Sequence, residues 1–363
     1  MIVFGSPSRY VQGPSALAGL GRELARMGGA VALLVDPVMQ DRHGETIRAT
    51  CDEAGIDASV LTFGGESTWA EVDRLEGLLT TPPAIVAAIG GGKCIDAGKA
   101  LAHRLGARVV TVPGIASTDA PTSHNYVIYD ADHRMVEVGK LPRNPDLVLV
   151  DTRVIAQAPK ALFLAGIGDT IGKIHEVNCC ANAGGKNIFG GQSALTAVVL
   201  ANASHDILLR DAHAALAALE RGEPDAALER AIEATVLMSG LAFESGGLSL
   251  AHSMTRGLTA LAPWSGAMHG FQIAYANVVQ MHAQGAPEAE IDAFAAFCAG
   301  LGLPVTLAGL GGRSASPDEI ARMVELTLAA PHIGNLPHPL GVDGLTAAIN
   351  WVETRYGART GAA

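Results

Sequence analysis

Aromatic side chains make up only 4% of the 363-residue sequence, and its five cysteines (Cys51, Cys94, Cys179, Cys180 and Cys298) include no Cys-x-x-Cys pair. An odd, scattered set argues against a disulfide framework or a thiolate metal site, so the cysteines read as small buried residues. An excess of positive charge is also missing. Twenty-five Lys and Arg against 36 Asp and Glu leave a net charge of −11, so the cations needed to neutralise nucleic-acid phosphates are lacking and no nucleic-acid partner is expected. No apolar run approaches the ~18 residues that cross a membrane. The opening stretch MIVFGSPSRYVQG has no charged segment followed by an apolar one and a cleavage site. No membrane association is expected, and the cytoplasm is the expected compartment. HExxH, GxxxxGK[ST] and GxGxxG are absent as well.

What the chain does have is small and apolar: 49% hydrophobic residues and 43 glycines. That composition suits an α/β or helical enzyme with tightly packed small side chains and excludes disorder. The length allows two domains. Over the first ~150 residues, β-branched runs at 31–38, 59–63, 84–89 and 108–112 alternate with helical spacing at 15–27, 41–54, 68–79 and 93–105. This alternation predicts a parallel sheet covered by helices on both faces. Ligands of such sheets bind outside the carboxyl ends of the strands. Beyond about residue 160 the pattern turns helical, with candidates at 161–183, 192–208, 212–221, 224–239, 270–284, 287–301 and 316–330. One boundary is therefore expected, between an α/β domain at 1–159 and an all-helical domain at 160–363.

Gly90-Gly91-Gly92 closes the apolar run AIVAAI and opens a predicted helix. Unpaired N–H groups of a first helical turn attract anions, and residues without Cβ let a phosphate approach closely. The motif follows a later strand, whereas the usual dinucleotide fingerprint follows the first. On the glycines alone, an anion cradle and a tight turn both remain open. Asp36, in LLVDPV, ends an earlier strand, where a carboxylate can bind a ribose hydroxyl and disfavour a 2′-phosphate. Turn chemistry places Asp there too. The stretch TVPGIASTDAPTSHNYVIYD (111–130) concentrates polar residues on the loop that leaves another strand. It reads equally as a binding loop or a capped surface loop.

In the helical half, Asp169, His252 and His269 offer two imidazoles and a carboxylate, a set that leaves a catalytic divalent ion one open position. Their spacing is not itself a signature, and surface or capping roles are commoner for any one of twelve histidines. If 161–183 is one helix, His175 turns to another face from Asp169. Glu176, at +7, lies ~10 Å further along that helix, too far to share an ion.

The segments SPSRYVQGP, GGGKCIDAGKA, VPGIASTDAPTS, LPRNPDLVLVDT, AGIGDTIG, LMSGLAFESGGLSLAHS and GLTALAPWSGAMHG occur in order. Through them the chain resembles, along essentially its whole length, the glycerol dehydrogenases of the iron-containing (group III) alcohol dehydrogenase superfamily. ASTDAPTS together with ESGGL points to that branch. The resemblance implies an α/β dinucleotide-binding domain followed by an all-α domain (the dehydroquinate synthase-like fold), with the active site in the cleft between them. It implies that Asp169, His252 and His269 bind the metal, usually Zn²⁺, although Fe²⁺ suits the same ligands. It assigns Asp36 to the adenosine end of NAD and Gly91, Gly92 and Lys93 to the pyrophosphate. Asp96, Gly114, Ser117, Thr118, Ser123, Asn125 and Tyr129 are placed along the rest of the cofactor. Asp119 corresponds to the aspartate that hydrogen-bonds the polyol, and homo-oligomers (dimers or octamers) are expected.

Three departures bear on the substrate. Family members often read HAIHNG where His252-Ser253-Met254-Thr255-Arg256-Gly257 stands, and HGE where His269-Gly270-Phe271 stands. After DAPTS they carry small apolar residues, whereas here His124-Asn125-Tyr126 follow. Arg256 thereby becomes a candidate for an anionic substrate group, against the plainer reading of a solvent-facing Arg. The implied reaction is NAD⁺-dependent oxidation of a secondary hydroxyl of a small polyol, glycerol to dihydroxyacetone, reversible. The proton acceptor is left open between metal-bound water, the ribose hydroxyl and His124. Rival readings are reduction of a 2-oxo acid or other small carbonyl compound, a sugar-ring cyclase, and a non-catalytic NAD-binding module. The cyclase would need basic residues around a substrate phosphate, and the stretches near Asp169 and His269 are poor in them.

Overall fold

Six parallel strands form the sheet that the alternating pattern predicts. The computed structural model describes residues 1–357. These divide into an α/β unit (Gly5–Lys160 with Ala215–Gly240) and a helical unit (Met1–Phe4, Ala161–Ala214 and the chain from Leu241 onward). The division differs from a single boundary at residue 160. Segment 215–240 is helical in sequence but packs with the strands, since helical texture does not say which core a helix covers.

In the α/β unit the strands are β1 (Tyr10–Gly13), β2 (Val31–Val35), β3 (Ala58–Thr62), β4 (Ile85–Gly90), β5 (Arg108–Pro113), β6 (Asn125–Tyr129), β7 (Met135–Lys140) and β8 (Leu147–Asp151). The sheet order is β1-β8-β5-β4-β2-β3, and β6 and β7 pair separately as an antiparallel hairpin. Every residue of β2, β4 and β8 is buried, as expected for interior strands covered on both faces. Helices α1 (Leu20–Met27), α2 (Pro37–Glu53), α3 (Trp69–Gly77), α4 (Gly92–Leu105) and α5 (Thr152–Ala156) supply the cover.

Strand side chains alternate between two cores. Val31, Leu33, Val35, Ile85, Ala87 and Ile89 pack with Leu20, Leu24, Ile47 and Cys51 from α1 and α2. Ala32, Leu34 and Val86 pack with Val72, Leu75, Ala97 and Leu101 from α3 and α4. Helices α2 and α4, which follow the adjacent strands β2 and β4, thus lie on opposite faces. The chain runs outward from β2 to β3 and then returns to β4, so the carboxyl ends of β2 and β4 flank the topological switch point.

The structure corrects several expectations. The strand predicted at 31–38 stops at Val35, because Asp36 caps α2 with Pro37 at its first position. Segment 111–130 is not loop throughout: Asn125–Tyr129 forms β6, whose period-two alternation is obscured by polar neighbours. Strands β1, β7 and β8 lie outside the predicted runs: β1 is four residues long and only half-buried, and β7 is exposed along most of its length, so neither shows an apolar run.

The helical unit begins with α6 (Lys160–Ile171) and α7 (Lys173–Asn182), which replace the single helix expected at 161–183. The break is Gly172, where a Cβ would lie 1.9 Å from the Asn277 amide nitrogen. Helix α8 (Leu195–Arg221) runs through the two segments expected at 192–208 and 212–221, having neither Gly nor Pro inside. It leads to α9 (Ala226–Glu233), which continues through a π-helical turn at Ala234–Met238 into α10 (Ser239–Gly246). Next come α11 (Leu250–Leu258), α12 (His269–Ala283), α13 (Glu288–Leu301), α14 (Leu307–Gly311), α15 (Pro317–Leu328) and α16 (Val342–Gly357). Among the described residues, no single helix is long and apolar enough to cross a membrane.

Candidate metal centre and cofactor cradle

Asp169 sits in the last turn of α6, inside an unbroken buried run from Phe163 to Ile171. His252 lies in the first turn of α11, and His269 opens α12. Two glycines bring these helices together. A Cβ on Gly168 would stand 2.4 Å from the Gly270 carbonyl oxygen, and one on Gly270 would stand 1.7 Å from that of Ala165. Helices α6 and α12 therefore meet backbone to backbone, placing the next residues, Asp169 and His269, side by side.

One donor atom from each of Asp169, His252 and His269 lies within 4.8 Å of the others. Both imidazole Nε2 atoms face Asp169 Oδ1, at 3.6 Å from His252 and 3.9 Å from His269. Behind them, Glu176 is fully buried. Its Oε1 accepts the backbone N–H groups of Ser249 and His252, each at 3.0 Å, and its Oε2 takes the His252 Nδ1–H at 2.5 Å. That bond fixes the tautomer and leaves the Nε2 lone pair facing Asp169, the arrangement that metal-binding histidines use. Burial alone would raise the Asp169 carboxyl. Lys173 and the two imidazoles reverse this and hold it below the ordinary range. Burial likewise works against ionised Glu176, but His252 and Lys173 bring its carboxyl down to about 2. His269 is the open member of the set, its side chain 42% exposed; crowding of its ring pulls it below the usual histidine range and the Asp169 charge opposes this. One carboxylate oxygen and two imidazole nitrogens make a three-ligand set that suits Zn²⁺ or Fe²⁺.

Glu176 is the residue that sequence reasoning missed. Only with the chain broken at Gly172 does α7 turn its first-turn carboxylate back to His252. His175, by contrast, lies against Phe294 and His205, with ring centroids 5.2 and 6.0 Å away, outside the trio. Arg256 donates to the Ala329 carbonyl at the C-terminal end of α15 (3.1 Å). A cation there is favoured by the helix dipole, which supports the structural reading of that arginine.

The cofactor candidates gather in the α/β unit. The Asp36 N–H donates to the Ile89 carbonyl and the Gly114 N–H to that of Gly90, both at 2.9 Å, so the carboxyl ends of β2, β4 and β5 are stitched together. Asp36 also caps α2 through Val38 N–H (2.9 Å). The three glycines differ. A Cβ on Gly90 would lie 2.6 Å from that of Asp36, so the fold itself demands glycine there. On Gly91 and Gly92 the nearest atoms would be Ile115 Cδ1 and Thr118 Oγ1, each at 3.4 Å, an ordinary contact distance. Gly91 has an unstrained φ of −76° and no side chain that caps α4. Protein packing does not require glycine at these two positions, whereas a phosphate approaching the first turn of α4 would.

Lys93 pairs with Glu66 at 2.5 Å and lies 5.4 Å from the Tyr129 ring centroid. Asp96 is nearly buried beside Lys99, another residue that the sequence reading passed over. The Lys99 ammonium donates to the carbonyls of Ala120 (2.5 Å) and Asn125 (2.9 Å) and to Ser123 Oγ (3.3 Å), fixing the 120–125 segment onto α4. Over 117–125, Asp119, Ser123 and His124 are buried, while Ser117, Thr118 and Asn125 are half-buried.

The sequence profile of the iron-containing alcohol dehydrogenases matches residues 7–152. A glycerol dehydrogenase of Escherichia coli is 36% identical over 359 residues, covering 98% of each chain. The chain belongs to the glycerol dehydrogenase branch of the iron-containing alcohol dehydrogenase family. The crystal structure of the Schizosaccharomyces pombe glycerol dehydrogenase superposes with a TM-score of 0.94 at 30% identity, covering 100% of this chain and 94% of that one. A glycolaldehyde reductase of Halobacterium salinarum is 37% identical over 310 residues, 85% of each chain. As a member of this branch the protein is an oxidoreductase acting on a small molecule.

Proposed function

We propose that this oxidoreductase is a metal-dependent, NAD⁺-linked polyol dehydrogenase that interconverts glycerol and dihydroxyacetone. The observation that carries the reading is the convergence of Asp169, His252 and His269 within 4.8 Å, with Glu176 holding the His252 tautomer. These three residues would hold a divalent ion, Zn²⁺ or Fe²⁺. Such an ion supplies positive charge beside a substrate hydroxyl, lowering its pKa, and polarises the carbonyl in the reverse direction. NAD⁺ supplies the acceptor for the hydride.

The chain's own residues bind and orient. Gly91 and Gly92 leave the first turn of α4 open to the cofactor's pyrophosphate. Asp36 accepts from the adenosine ribose and disfavours a 2′-phosphate. Gly114, Ser117, Thr118, Ser123, Asn125 and Tyr129, with Lys93 and Asp96, complete the proposed cofactor contacts. Asp119 accepts a hydrogen bond from a second hydroxyl of the polyol, which a monoalcohol lacks. His124 and the cofactor's ribose hydroxyl are the candidate acceptors of the substrate proton.

A second reading, reduction of a small aldehyde, is favoured by the likeness to a glycolaldehyde reductase. The test is steady-state kinetics on protein stripped with EDTA and reloaded with Zn²⁺ or Fe²⁺, comparing NAD⁺ with NADP⁺. Glycerol, 1,2-propanediol, glycolaldehyde and 2-oxobutyrate make up the panel. The expected result is saturable NAD⁺-dependent oxidation of glycerol, lost with EDTA and restored by the ion. Activity indifferent to EDTA overturns the metal assignment, and saturation only by a carbonyl compound moves the reaction to the reductase reading.

A further inference from the structure

Lys173 breaks two local rules at once. It is fully buried, and it occupies the first position of α7, where the helix dipole disfavours a cation. Buried lysines need compensation. This one donates to Asp169 Oδ1 at 3.3 Å, and its ammonium lies 5.6 Å from the Phe243 ring centroid. It thus shares the oxygen that both candidate histidines face. Its charge also acts on Glu176, one turn further along α7. The cluster therefore holds two buried carboxylates and one buried ammonium, a net charge of −1 before any ion binds and +1 with a divalent ion. Without the lysine these values would be −2 and zero.

We propose that Lys173 is a built-in counter-cation of the metal centre. It compensates the buried Asp169–Glu176 pair when no ion is bound, and it weakens the hold on a divalent ion by competing for Asp169. The inference rests on the proposed metal centre, and it explains why an ammonium is buried at an unfavourable helix end. Two like charges that share one carboxylate in a buried site repel, so the ion-free protein gains stability at the expense of ion affinity.

The test uses the full chain, stripped of metal, with Zn²⁺ affinity measured by competition with a chromophoric chelator and Tm measured with and without Zn²⁺. In Lys173→Met the Zn²⁺ Kd falls at least tenfold. The ion-free Tm drops, and saturating Zn²⁺ raises Tm more than it does in the wild type. Lys173→Arg, which keeps the charge, stays near the wild-type Kd. Should Lys173→Met not accumulate without the ion, Lys173→Gln retains a donor for Asp169 without the charge and carries the same expectation. A Kd that is unchanged or weaker in the neutral variants, with Tm lowered equally in both states, overturns the proposal and leaves Lys173 a structural ion pair. If the wild-type chain binds no Zn²⁺ or Fe²⁺ at all, the metal centre falls first and the lysine's role falls with it.

Discussion

The Glu176 carboxylate accepts three N–H groups, two from the backbone at the start of α11 and one from the His252 ring. It therefore caps a helix whose own N-cap residue, Ser249, supplies no side-chain bond, and it orients a candidate ligand at the same time. Glu176→Gln keeps the size but turns an NH₂ group toward one of these N–H donors. Such second partners of metal-bound histidines are worth about 10–100-fold in metal affinity. Zn²⁺ Kd should rise by that factor, as chelator competition would read, while the fold survives by circular dichroism; an unchanged Kd would remove Glu176 from the metal centre. The residue shows what sequence spacing hides. Asp169, His252 and His269 came from resemblance, since no local spacing joins residues on three helices. Spacing excludes Glu176 as long as 161–183 reads as one helix, and the contact of Gly172 with Asn277 that accompanies the break is invisible to it.

At the scale of one element, the passage from β4 through the glycines into α4 separates glycines of the fold from glycines of the function. A Cβ on Gly98 would lie 2.5 Å from the Ala88 Cβ, because α4 packs directly on β4. Gly98→Ala should cost about 1–3 kcal/mol through overpacking. Gly91→Ala should leave stability within about 0.5 kcal/mol and raise KM for NAD⁺. Chemical denaturation and cofactor kinetics would tell the two apart, and equal stability losses would contradict the assignment.

The same helix carries a pH signature. Burial raises the Asp96 carboxyl from 3.8 to about 7 against the opposing pull of Lys99. The folded state then binds this proton more tightly than the unfolded chain does, so Asp96's contribution is full below about 3.8 and is lost as pH rises through about 7. Relative to wild type, Asp96→Asn should therefore gain stability between pH 4 and pH 7, as urea midpoints would show. A difference flat across that range would mean that Asp96 is ionised throughout. The strand AIVAAI and the helix after it were legible from apolar periodicity. The distinct duties of the glycines were not, because they depend on what packs above each one.

For the whole molecule, the change of texture near residue 160 marks where strands give way to helices, yet it does not mark where the α/β unit ends. Segment 215–240 is tied into that unit by specific bonds. Gln12 Nε2 donates to both the backbone carbonyl and the carboxylate of Glu229, at 2.9 Å each, and Thr152 Oγ1 donates to the same carboxylate at 2.5 Å. Thr122 Oγ1 donates to the Val236 carbonyl at 3.1 Å, and a Cβ on Gly240 would come within 1.9 Å of that hydroxyl. Strand β1, an edge of the sheet, and the polar 119–125 segment thus lean on helices that sequence order assigns to the other half. A fragment spanning residues 5–160 loses all of these bonds, each worth about 0.5–1.5 kcal/mol net. Against a net stability of ~5–15 kcal/mol for a typical domain, several such losses together with exposure of the apolar surface that α9 covers should abolish cooperative folding. The same fragment with residues 215–240 joined after residue 160 through a flexible Gly/Ser linker should regain a single sharp unfolding transition and bind NAD⁺. Thermal unfolding and cofactor titration of the two fragments decide the matter. Two-state unfolding of 5–160 alone, with NAD⁺ affinity equal to that of the linked form, would restore the boundary at residue 160 and reduce Glu229 and Val236 to incidental contacts.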